Sequence, residues 1–103
     1  MDNRNRILDI AMNLNRVGDW AADDFDGKKP LISLFLNQTA KYSKAIKIAS
    51  LPKTLGKTFE DFLEEYKELK KEGENGPKDT LYWAEKMMTW GNILTHRANL
   101  IKE

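Results

Sequence analysis

Carboxylates spaced four residues apart give this chain its clearest candidate for chemistry. Glu60, Glu64 and Glu68 repeat at i, i+4 and i+8, so a helix through this segment places all three on one face. Like charges at this spacing repel by roughly 0.2–0.5 kcal/mol per pair. Such a row is either a solvated surface or a contact site for a basic partner, and we select it as a candidate protein-interaction site.

The segment EEYKE, residues 64–68, resembles the E-E-x-x-E first half of the metal-binding signature of all-helical nucleotide pyrophosphohydrolases. The resemblance implies magnesium bound by carboxylates from two helices. The second half, E-x-x-D, is incomplete because the corresponding segment EKMM, residues 85–88, ends in methionine. We therefore do not assign the chain to that family, and a carboxylate-metal nucleotide hydrolase stays a third functional hypothesis.

The region between Gly27 and Phe59 contains seven lysines and no acidic residue. Lysine contacts with phosphate would bind nucleic acid without sequence preference and with a steep salt dependence. No arginine, the residue suited to base edges and bidentate phosphate contacts, occurs in this region. Nucleic-acid binding is therefore the alternative to protein binding. Its candidate residues lie on the predicted second helix and in the loop after it: Lys41, Lys44, Lys47, Lys53 and Lys57.

The remaining reactive side chains do not form a recognisable catalytic set. The chain has a single histidine, His96, whose helical neighbours Asn92, Ile93, Asn99 and Leu100 include no acid or serine that could act with it. The chain has no cysteine, which excludes a disulfide scaffold and a thiolate metal site. We expect no catalytic residue, no bound metal and no cofactor.

Length and charge distribution narrow the class of protein. A chain of 103 residues has the common size of one domain, and we treat residues 1–103 as a single helical domain. The formal net charge of +1 is the sum of segments of opposite sign. The first residues lack the apolar stretch of a secretory signal, and no apolar run approaches the ~18 residues of a membrane helix. We expect a cytoplasmic protein with no membrane partner.

The element that must position these residues is the segment from 79 to 101. Its apolar side chains recur in steps of three and four, which predicts a helix with a wide apolar face. The repeating positions are Trp83, Met87, Trp90, Leu94, Ala98 and Ile101. A face this wide extends over more than one neighbour, so we expect the C-terminal helix to be central and to contact two or three others.

Three further amphipathic segments are predicted before it. The first runs over about residues 4–22, the second from Pro30 to about residue 49, and the third from Phe59 to about residue 72. Thr58 is expected to cap the third helix and Gly73 to end it. On the second helix, the expected buried face includes Leu31, Ile32, Phe35 and Tyr42. These segments predict an all-α fold, an antiparallel four-helix bundle with the C-terminal helix at its centre.

The function that these features favour is a small, non-enzymatic interaction or regulatory module. It would bind another protein, or a second copy of itself as a homodimer, through helix faces of opposite charge and exposed aromatic residues. Trp20 lies off the apolar stripe of the first helix, and Trp90 belongs to a segment rich in aromatic and methionine residues. The candidate interaction residues are Glu60, Glu64, Glu68, Lys41, Lys44, Trp20 and Trp90.

Overall fold

Three α-helices and one short 3-10 turn make up the regular structure of residues 2–101, the part of the chain that the computed structural model describes. Helix α1 spans Asn3–Lys44, the 3-10 turn Ile48–Ser50, helix α2 Lys53–Asn75 and helix α3 Thr80–Ala98. No strand occurs within these described residues. The all-α prediction is confirmed, whereas the structure has three helices where four were expected.

Helix α1 contains one residue with non-helical backbone angles, Asp24, at φ −161° and ψ 83°. The carboxylate of Asp24 accepts a hydrogen bond from the backbone N–H of Gly27, at 3.0 Å, and so caps the helical residues that follow. A connection was expected between the first two predicted helices, from residue 22 to Pro30. The structure instead has a kink at the single residue Asp24, within one helix. We call residues 3–23 the first arm of α1 and residues 25–44 the second arm.

The two arms of α1 lie side by side. The Arg6 guanidinium donates to the carbonyl of Ala45 at 3.0 Å, and the Asn13 amide donates to the Gln38 side-chain oxygen at 3.0 Å. Residue numbers thus rise along one arm as they fall along the other. A straight helix of 42 residues would be about 63 Å long, but the longest dimension of the molecule is 39 Å.

The ends of α2 differ from the sequence-based expectation. The helix begins at Lys53, after Pro52, and Thr58 lies inside it with its hydroxyl donating to the Thr54 carbonyl at 3.2 Å. The predicted cap at Thr58 is therefore wrong. The helix ends at Asn75 and is followed by Gly76, which has a positive φ of 89° that favours glycine. Gly73, the predicted stop, is a buried helical residue of α2.

Helix α3 packs against both its neighbours. Asp79 caps its start by accepting from the backbone N–H of Tyr82 at 3.0 Å. The Trp83 indole N–H donates to the Leu69 carbonyl of α2 at 2.9 Å, and the same ring meets Phe25 of the second arm edge-on, with centroids 5.8 Å apart. On its other side, Met88 lies against Gly18 of the first arm. Trp83 is the largest fully buried side chain.

The buried face of the second arm differs from the predicted one. Its buried residues are Phe25, Ile32, Leu36, Thr39 and Ser43, so two hydroxyl-bearing side chains take part in the core. Two residues of the predicted face, Leu31 and Tyr42, are 42% and 37% exposed. Apolar periodicity counts threonine and serine as surface residues, so it predicted a rotation that exposes them.

Candidate interaction surface

The predicted acidic row lies on the outer face of α2. Glu60, Glu64 and Glu68 are all exposed, on the side of the helix away from the buried residues Phe62 and Tyr66. Within residues 2–101, none of the three carboxylates forms an ion pair. The row is therefore open to solvent and free of ion pairs among the described residues.

Three of the four other carboxylates of α2 form ion pairs within the molecule. Asp61 binds the ammonium group of Lys57 at 3.1 Å, and Glu65 binds that of Lys86 on α3 at 3.3 Å. The carboxylate of Glu65, through its hydrogen bond and its charge, raises the pKa of Lys86 above the ordinary lysine value. These pairs stabilise the helix surface and leave the acidic row between them free of internal partners in the described part of the chain.

The five predicted lysines are exposed, but they occupy two places. Lys41 and Lys44 lie on the outer side of the second arm. Lys47, Lys53 and Lys57 surround the 3-10 turn and the start of α2. Of the five, only Lys57 has an ion-pair partner within residues 2–101. The structure therefore divides the predicted lysine set into a helical pair and a cluster at one end of the molecule.

A shallow groove of about 250 Å³ lies between the second arm and α2. Lys44 lines it, whereas none of the three glutamates of the acidic row does. Its floor is formed by Ala40, Ser43, Leu63 and Tyr66. Lysines form its rim, on both sides: Lys44, Lys67 and Lys70. Lys70 is neutralised by Glu74 of α2 at 2.8 Å. The groove is thus an apolar channel with positive edges. The acidic row lies beyond Lys67 and Lys70, on the side of α2 opposite its buried residues.

The tyrosine in the groove floor is a structural group. The Tyr66 hydroxyl donates to the Leu36 carbonyl at 2.8 Å, which ties α2 to the second arm. Burial raises the pKa of this phenol well above its ordinary value, and the neighbouring Thr39 hydroxyl opposes that rise only in part. Tyr66 is therefore neutral and held by a hydrogen bond at neutral pH, which suits packing rather than acid–base chemistry.

The two predicted tryptophans lie away from the charged rows. Trp20 is half-buried in the seam between the arms of α1, where it meets Phe35 edge-on with centroids 5.0 Å apart. Trp90 is half-buried between α3 and α2, with its ring 5.5 Å from that of Phe62. Both rings take part in internal packing, and the structure does not bring them together with the lysines and glutamates.

Sequence reasoning missed one exposed apolar residue on the lysine side of the molecule. Leu34 is 59% exposed. It lies seven residues, about two helical turns, before Lys41, so both occupy the same outer face of the second arm. Thr39 and Ser43 lie on the opposite side of the helix from Leu34. The exposure of Leu34 could have been predicted from the sequence only if these two polar residues had been recognised as buried.

The carboxylates of the E-E-x-x-E segment do not converge on a common point. Glu64 and Glu68 point outward in one row, while Glu65 lies on the flank that faces α3 and binds Lys86. Among residues 2–101, no group of three or more His, Cys, Asp or Glu side chains lies close enough together to hold a metal ion. His96 is exposed on the outer side of α3.

Comparison of the chain with protein-family models, curated proteins and solved structures finds no match. Over the residues that the structure describes, no helix has the length and apolar character needed to span a membrane. The surface itself therefore carries the functional argument: two exposed rows of opposite charge on neighbouring helices, with an apolar groove between the helices.

Proposed function

We propose that the chain is a non-enzymatic protein-interaction module and that it binds through the outer sides of the second arm and α2. We call this surface the two-helix face. It comprises Leu34, Lys41 and Lys44 on the second arm and Glu60, Glu64 and Glu68 on α2. One observation carries the proposal: both charged rows are exposed, and no ion pair within residues 2–101 uses either of them.

The fold that we propose for this module is an antiparallel four-helix bundle in which each arm of α1 counts as one helix. Contacts in opposite residue order support it. Asn13 of the first arm meets Gln38 of the second, and Arg6 meets Ala45. Between α2 and α3, the Trp83 indole N–H donates a hydrogen bond to the Leu69 carbonyl. A bundle of this kind holds the two charged rows at a fixed separation, which is what a docking surface requires.

Charge at this surface would set partner choice and orientation more than affinity. Exposed ion pairs contribute about 0–1 kcal/mol each, and their main effects are on encounter rate and on the rejection of partners with the wrong charge. The apolar groove and the exposed Leu34 would provide the desolvated contact area. We propose the cytoplasm as the location, because a chain without cysteine gains nothing from an oxidising compartment.

Charge reversal combined with partner capture tests this proposal. Cross-linked partners should be lost from the E64K/E68K double variant and from K41E/K44E. They should remain bound to the control E72K/E85K, which reverses two other exposed glutamates and so changes the net charge by the same amount as E64K/E68K. Circular dichroism establishes that each variant keeps its helices. Partner binding that survives both reversals on the two-helix face would refute the proposed surface.

Nucleic-acid binding through the exposed lysines is the second candidate function. Lys41, Lys44, Lys47 and Lys53 are exposed without an ion pair among the described residues. Opposing it, Asp61 already neutralises Lys57, and the neighbouring helix α2 exposes the acidic row. A fluorescence anisotropy titration with a 20-nucleotide single strand decides the matter. Binding that falls steeply between about 50 and 200 mM salt supports this candidate, whereas no binding at the lower concentration eliminates it.

A further inference from the structure

The packing of the second arm against α2 fixes which residues of the two charged rows lie at the same position along the helix axes. We call this position the height of a residue. The Leu36 carbonyl binds Tyr66, and Lys44 lines the groove together with Leu63 and Lys67. Residue numbers therefore fall along α2 as they rise along the second arm.

Because Lys44 lines the groove with Leu63 and Lys67, we place it near the height of Glu64, which lies between those two residues on α2. Lys41 lies three residues, about 4.5 Å, before Lys44 on the second arm. It is therefore level with Glu68, four residues farther along α2.

This arrangement is complementary to itself. A two-fold axis that runs parallel to the helices, along the groove, keeps every residue at its own height and exchanges the two sides of the face. The second arm of one copy then lies over α2 of the other copy. Lys44 faces the partner copy's acidic row at Glu64, and Lys41 faces it at Glu68. Because the axis is two-fold, the same two contacts form a second time.

We infer that the partner of the two-helix face is a second copy of this chain, bound about that axis. The inference rests on the proposed function, since it takes the same surface and names its occupant. Charge complementarity selects this occupant, because a row of each sign at matched heights is what a homodimer needs. A strictly acidic or strictly basic partner would leave one of the two rows facing like charge.

The size of the face is typical of a weak complex. Two adjacent helices are about 20 Å across, and the arm and α2 run together for roughly 25 Å, so each copy buries about 500 Å². A total near 1,000 Å² is at the low end for specific interfaces and corresponds to a weak dimer with a Kd in the micromolar range. Lys67 and Lys71 are unfavourable groups. Lys67 lines the groove that the axis follows and meets its own symmetry copy, and Lys71 is exposed one helical turn farther along the same side of α2.

A charge-swap experiment tests this inference by analytical ultracentrifugation at 10–500 µM (about the range that a micromolar Kd requires) and low salt. The wild type should show dimers that dissociate as salt is raised, because the opposed rows are screened. K41E/K44E alone and E64K/E68K alone should each be monomeric, since each places like charges opposite one another. An equimolar mixture of the two variants should again form dimers, because both contacts of the mixed pair regain opposite charges.

The control E72K/E85K should dimerise like the wild type. A wild type that stays monomeric at 500 µM (roughly the top of that range), a single reversed variant that still dimerises, or a mixture that stays monomeric would overturn the inference. None of these results refutes the broader proposal, because the partner-capture experiment tests the same face against other proteins. Conversely, if the wild type and both charge-reversal variants all dimerised, the chain would self-associate through a different surface.

Discussion

The packing of Gly73 against Trp83 predicts opposite effects for the same substitution at two positions of α2. A Cβ atom at Gly73 would lie 2.5 Å from Cζ2 of Trp83 and 3.1 Å from Cδ1 of Leu36. Carbon atoms normally pack at about 3.5–4.0 Å. At Gly56, the nearest neighbour of such an atom is Cγ2 of Ile48 at 3.5 Å, an ordinary contact.

Replacing a helical glycine by alanine gains up to about 1 kcal/mol of helix propensity, while overpacking a core costs about 1–3 kcal/mol. The Trp83 ring cannot easily move away from a new methyl group, because its indole N–H binds Leu69 and its ring contacts Phe25. We therefore expect Gly73→Ala to lower the free energy of unfolding by about 1–2 kcal/mol. Gly56→Ala should raise it by up to about 1 kcal/mol.

Urea denaturation followed by circular dichroism measures both effects in the same two-state framework. The corresponding thermal shifts are roughly 4–8 °C per kcal/mol for a domain of this size. The comparison controls for helix propensity, because both glycines lie in α2 and receive the same methyl group. If Gly73→Ala proved as stable as the wild type or more stable, the tight packing of α2 against Trp83 would be refuted.

Three further predictions concern stability and metal binding. Tyr66→Phe removes the buried hydrogen bond to Leu36 and should cost about 1 kcal/mol in urea denaturation at pH 7. Burial raises the folded-state pKa of Tyr66 above its unfolded value near 10. The contribution of this tyrosine to the free energy of unfolding is therefore complete below about pH 10 and is lost as the pH rises further. The difference in free energy of unfolding between the wild type and Tyr66→Phe should therefore disappear between about pH 10 and 11.5. A difference that stays constant over this range would contradict the prediction. Asp79→Ala removes the cap of α3 and should cost about 1 kcal/mol, again measured by urea denaturation, whereas no loss would show that the cap is dispensable. Magnesium at 10 mM (of the order that saturates a weak site) should leave the melting temperature unchanged, and a rise abolished by Glu64→Gln would restore the hydrolase hypothesis.

The all-α class could be predicted because each helix carries an apolar stripe with a period near 3.6. The same reasoning placed Trp83, Met87, Leu94 and Ala98 on one buried face of the last helix, as the structure has them. The helix boundaries could not be predicted as well. Gly73 was taken for a stop signal because glycine commonly ends helices, but its role is to allow close approach by Trp83, a contact between residues ten positions apart on two helices.

The acidic row could also be predicted from spacing, since exposure follows directly from its position opposite the apolar stripe of α2. The roles of Trp20 and Trp90 could not, because a tryptophan at the edge of a stripe fits an interface and an internal seam equally well. Only the positions of Phe35 and Phe62 show that both rings pack within the molecule.

The rotation of the second arm links its polar core residues to the proposed surface. Burial of Thr39 and Ser43 toward α2 turns Leu34 and Lys41 outward. An arm rotated to bury more leucine would gain about 1.5–3 kcal/mol for each leucine side chain removed from water. The fold instead keeps the hydrogen bond from Tyr66 to the second arm and leaves Leu34 more than half exposed. The contact that fixes the core therefore also sets the height and direction of the lysines, and through them the match to the acidic row on which the proposed self-association depends.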